Sequence, residues 1–95
     1  MQLLLSSLTR EKTTLVFKSP KVLEAVYDET TNTYSIYDKE FGIFARSNKG
    51  PIDAVENYSD KLYGLYLLYK DADTYNMDDE DLRIKEKINE LKVTP

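Results

Sequence analysis

The chain has no cysteine, no histidine and no tryptophan, and only three glycines and three prolines in 95 residues. Without cysteine there is no disulfide framework and no thiolate nucleophile. Without histidine the usual proton shuttle and the commonest transition-metal ligand are missing, and a Ser-His-Asp arrangement within one chain is excluded. The scarce glycines form neither G-x-G-x-x-G nor a G-x-x-x-x-G-K-S/T loop, so Gly50-Pro51 reads as a turn and a helix start. Long apolar runs are missing as well. Leu3-Leu4-Leu5 stops at Ser6-Ser7 with no basic residue before it, unlike a signal peptide. No stretch nears the ~20 apolar residues that span a bilayer. A soluble cytoplasmic protein without membrane contact is expected.

Positive charge is also thin. Seventeen acidic residues face thirteen basic ones, for a net charge of −4 and a pI of about 4.8, and the lysines and arginines are scattered. Nucleic acid is bound by concentrated positive charge, so the chain by itself is not expected to bind it. A basic protein surface fits the charge better. A composition of 41% hydrophobic and 32% charged residues is that of an ordinary globular protein. The length suits one domain.

What is present is a run of short strands followed by one long amphipathic helix. Met1–Leu8 reads as a strand, Thr9–Lys12 as a turn, and the β-branched Thr13–Phe17 as a second strand that Ser19-Pro20 interrupts. Leu23–Asp28 and Thr33–Tyr37 are tyrosine-rich strands joined by the turn-forming Glu29–Asn32. Alternation places Tyr34 and Ile36 on one face, with Thr33, Ser35 and Tyr37 on the other. Asp38–Glu40 reads as a turn and Phe41–Ala45 as a short last strand.

Pro51 suits a first helical turn, and a helix is predicted over 51–69. Its core stripe collects Ile52, Val55, Tyr58, Ser59, Leu62, Leu65, Tyr66 and Tyr69. Asp53, Glu56, Asn57, Asp60 and Gly64 take the opposite side. Tyr63, Leu67 and Leu68 are not accounted for by one stripe, and they surround Gly64, a mid-helix glycine that costs about 1 kcal/mol against alanine. Either that loss is tolerated or something packs closely there. Apolar groups left on a small domain mark contacts, so Tyr63, Gly64, Leu67 and Leu68 form the candidate interface, with another protein or with a second copy. The competing explanation is that a C-terminal helix folds over them. Asp78 caps that helix, predicted over 78–92, with Asp81 three residues on, and Leu82, Ile84, Ile88 and Leu91 give its apolar edge.

Acid–base chemistry would have to come from carboxylates. Asp28, Asp38 and Glu40 flank the strands, but a working pair needs a cleft that raises one pKa. Asp71–Asn76 begins like a calcium loop, yet Tyr75, Asn76 and Leu82 stand where an oxygen ligand, a glycine and a glutamate are required. Tyr27, Tyr34 and Tyr37 lack the interleaved basic residues of a base-stacking platform. No metal, cofactor or catalytic residue is expected.

The order Y-D-E-T-T-N-T-Y-S-I-Y, E-F-G-I-F-A-R and P-I-D-A-V-E-N-Y resembles the HicB-like antitoxin family over about Leu23–Tyr69. Glu40-Phe41-Gly42-Ile43 stands at that family's glycine corner and Asp53–Asn57 at its helix start. The resemblance implies a partial RNase-H-like or double-stranded-RNA-binding-like α+β fold acting as a protein inhibitor of a small basic mRNA-cleaving toxin. The chain departs from it in two places: Ser47–Gly50 lacks the usual short acidic cap, and residues 78–95 are too few for the separate DNA-binding domain many members carry.

The expectation is therefore an α+β fold over 1–95. It has an antiparallel sheet of three to five strands within 1–45, a main helix over 51–69 and a C-terminal helix over 78–92. The expected role is a non-enzymatic protein-interaction module, most concretely an antitoxin-like inhibitor. The alternative is a self-associating structural or assembly protein.

Overall fold

The computed structural model describes residues 1–95. The chain is α+β: an antiparallel sheet packed on one side by two helices. The strands are β1 (Gln2–Arg10), β2 (Thr13–Asp28), β3 (Thr33–Asp38) and β4 (Ile43–Ser47), followed by α1 (Pro51–Tyr69), α2 (Asp79–Asn89) and β5 (Lys92–Thr94). The first four strands pair in chain order, and β5 pairs with the first part of β2. No helix is long and apolar enough to cross a membrane.

Local chemistry sets the connections. The β1–β2 hairpin turns through Glu11 and Lys12, both at positive φ, in the geometry normally given to Asn-Gly. Asp28 accepts from the Thr30 amide and Asn32 takes positive φ, closing the expected turn at Glu29–Asn32. Gly42, at φ 66°, turns the chain from β3 into β4. The helix limits at Pro51 and Tyr69 agree with the sequence, as does the Asp78 cap, whose side chain accepts from the Asp81 amide at 2.8 Å.

The core lies between the sheet's inner face and α1. Leu15, Ile36, Ala45, Ala54, Tyr58 and Leu62 are wholly buried there. Ile84, Ile88 and Leu91 add the α2 side. Arg10 ties the hairpin to α1 through Asp60 and Glu56, each at 2.8 Å.

Four expectations need correcting. Ser19-Pro20 does not end a strand: Thr13–Phe17 and Leu23–Asp28 belong to one strand, β2. Phe17 to Pro20 lie opposite the single residue Ser6, in a bulge that spares proline from donating to the ladder. The sheet passes Ala45 to Ser47 and takes in Lys92–Thr94, while Phe41 and Gly42 belong to the turn. The C-terminal helix ends at Asn89 rather than residue 92, because β3 covers only the far part of β2 and leaves Thr14–Val16 free to pair with β5. Finally, Ile52 is exposed and Ala54 takes the first core position of α1. The small side chain lets the helix start approach β4, where Asp53 accepts from the Ser47 hydroxyl at 2.6 Å.

Candidate interaction surface

The four candidate residues on α1 do not all line one groove. Lys61, Gly64, Leu65 and Leu68 face β4 and line a shallow groove of about 450 Å³ with Gly42, Ile43 and Phe44. Tyr63 turns to the other side of the helix, half-buried beside Tyr66, with its hydroxyl directed at Glu11. Leu67 lies outside the groove. A Cβ built on Gly64 would meet nothing within 4 Å, so no part of the chain itself requires a glycine there.

α2 does not cover this region. It docks at the far end of α1, where the Tyr69 hydroxyl donates to Asp81 at 2.7 Å and Lys85 donates to the Tyr69 carbonyl at 2.8 Å. The bond to Asp81, with some burial, raises the Tyr69 pKa above its ordinary value. Arg83 reaches the β3–β4 turn at the Glu40 carbonyl, 2.6 Å away. Leu67 and Leu68 are left 46% and 64% exposed.

A larger surface escaped the sequence reading. Both helices pack on one side of the sheet, and the outer side has no cover. Along β2, Val22 and Val26 alternate outward with the buried Leu23 and Ala25. On β3 Tyr37 is outward and Ile36 inward, and on β4 Phe44 is outward between Ile43 and Ala45. Register brings Tyr37 opposite Phe44 and Leu4 opposite Val22. Leu4, Val22, Val26, Tyr37 and Phe44 are all exposed, Tyr37 at 63%. Phe44 also lines the groove, so patch and groove adjoin. A signal existed: the outward phase of these strands holds Val22, Val26, Tyr37 and Phe44 among Glu24, Ser35 and Arg46, more apolar groups than a solvated face needs, yet one helical layer covers only the other phase.

The carboxylates considered for chemistry are engaged in structure. Asp38, 6% exposed, receives the Lys21 ammonium at 2.9 Å, the Glu40 amide at 3.1 Å and the Tyr58 hydroxyl. Lys21 also reaches Glu40 at 3.3 Å and lies over the Phe41 ring. Burial, then the bond to Asp38, pushes the Tyr58 pKa far above its ordinary value. The cluster ties β2, β3 and α1 together, and no buried side-chain nitrogen or oxygen lacks a partner. Asp28 caps its turn, and Asp73 accepts from the Tyr75 amide at 3.0 Å. No group of three or more acidic side chains is placed to hold a metal ion. No family model, curated protein or solved structure matches the chain.

Proposed function

We propose that the chain is a non-enzymatic protein-interaction module, and most concretely an antitoxin-like inhibitor that covers a small basic toxin in the cytoplasm. The observation that carries this reading is the one-sided build of the sheet. The outer face holds Val22, Val26, Tyr37 and Phe44 in solvent although the fold has no use for them there. Tyrosine and phenylalanine are favoured at protein contacts, and the net charge of −4 draws a basic partner. The saturated Asp38 cluster supports the absence of catalysis, since each of its groups already has a partner and none is poised to exchange a proton with a ligand.

The test is to isolate the tagged full chain from its native cells at low expression. A small basic protein in stoichiometric amount is expected, lost when Tyr37 and Phe44 are both changed to serine. Recovery of the chain alone, or turnover of RNA, phosphate esters or glycosides that co-elutes with it and vanishes in Asp38→Asn, overturns the reading.

A further inference from the structure

The edges that β1 and β4 form are treated differently. At the β4 edge the carbonyls of Phe44 and Arg46 accept side chains of α1, from Lys61 at 2.5 Å and Asn57 at 2.9 Å. That edge is closed from within. At the β1 edge the Ala25 amide donates to the Met1 carbonyl at 2.8 Å, and the N-terminal ammonium of Met1 donates back to the Ala25 carbonyl at 3.0 Å, as in a hydrogen-bonded pair. Such pairs alternate along an antiparallel ladder, so Leu3 and Leu5 turn their backbone groups to β2, and Gln2 and Leu4 turn theirs outward. No side chain bonds to them; the first one along this edge is Arg10, which donates to the Thr9 carbonyl at 2.9 Å.

Exposed edges are normally blunted by charge or proline as well as by bulges. From Gln2 to Thr9 there is no charged residue and no proline. The side chains match this openness. Leu4 is 71% exposed on the outer face, while Leu3 and Leu5 touch the core from the inner face but stay half-buried.

We propose that β1 is the seam of a two-fold homodimer, pairing antiparallel with β1 of a second copy so that Leu4 meets Leu4 and Leu3 meets Leu5. A second copy is the occupant the charges select. Two-fold pairing sets the strand against itself, which repels if the strand is charged and does not if it is neutral. A strand shaped for the basic partner of the preceding section would carry acid, and this one carries none. In this register the outward groups of Leu4 bond across the seam, and the half-buried Leu3 and Leu5 cover each other. The two outer patches also join through Leu4 and Val22 into one apolar band. The dimer does not rest on the inhibitor reading and forms without a partner.

Sedimentation velocity of the purified full chain over a concentration series tests this. The wild type is expected to move from monomer to dimer, and Leu4→Lys to stay monomeric with unchanged circular dichroism. Leu4→Pro removes an N–H that points away from β2 and is expected to behave alike, as proline is accepted at such edge positions. Should that variant unfold, Leu4→Cys decides. In a chain without other cysteines, opposed Leu4 positions lie about 5.5 Å apart at Cα, within the span of a short bis-maleimide, so that reagent is expected to give a covalent dimer. A wild type monomeric up to about 1 mM, where even a weak specific dimer is half formed, overturns the proposal. So does a dimer that survives Leu4→Lys, or a Leu4→Cys variant that stays uncrosslinked.

Discussion

On the inner face of the sheet Ile36, Ile43 and Ala45 lie under α1, wholly or almost wholly buried; one residue further along, Tyr37 and Phe44 stand in solvent on the outer face. Both faces carry apolar side chains, the outer one beside Glu24, Ser35 and Arg46, but only the inner face is used by the fold. The inner face also holds the single buried charge cluster, with every oxygen of Asp38 engaged. Side chains that stabilise the fold are crowded and satisfied. Those left apolar without cover, at Val22, Val26, Tyr37 and Phe44, indicate where another molecule belongs.

That contrast can be broken most severely at the inner cluster. Lys21→Met leaves Asp38 buried without its cation and is expected to cost about 3–5 kcal/mol, read as a large drop in the urea midpoint. Ile36→Ala is expected to cost about 2–5 kcal/mol by opening a cavity, whereas Tyr37→Ser, its neighbour on the other face, should stay within about 0.5 kcal/mol. Equal losses at 36 and 37 would abolish the distinction between the faces.

Tyr58 sharpens the contrast through pH. Its folded pKa is raised, first by burial and then by its bond to Asp38, while the unfolded chain's tyrosine titrates near the ordinary value of about 10. The proton is therefore held more tightly in the folded state. The stability this provides is complete below pH ~10 and falls as pH rises beyond it, because the unfolded state then loses a proton that the folded state keeps. Thermal melts from pH 8 to 11 should show a shallower alkaline decline in Tyr58→Phe, alongside a loss of about 1–3 kcal/mol at neutral pH from the broken hydrogen bond. A modest change of opposite sign is expected at Gly64. Open space around its Cβ position makes Gly64→Ala stabilising for the free chain by about 1 kcal/mol, while partner capture weakens if the groove is used.

Helix α1 was legible because its signals are local: Pro51 to start, a 3.6-residue period to continue, and a polar run after Tyr69 to stop. The Asp78 cap and the turn at Glu29–Asn32 were legible for the same reason. What escaped depends on partners distant in sequence. Pro20 sits within a strand only because β1 supplies pairing on both sides of the bulge. Lys92–Thr94 becomes a strand only because β2 has a free stretch. Lys21 and Asp38 are unremarkable surface-type residues until register brings them together. Of the candidate site, Gly64 and Leu68 were placed in one groove, but Tyr63 and Leu67 were not. The outer face was written in the two-phase apolar pattern; reading it required knowing that both helices take the same side.

Tyr37→Ser combined with Phe44→Ser tests the central claim most directly, with melting temperature and native-partner capture measured on the same preparation. An unchanged melt with the partner lost is the expected result, since these side chains stand free of the core. A variant that unfolds, or that melts normally and keeps its partner in full, would contradict the assignment of the outer face to recognition.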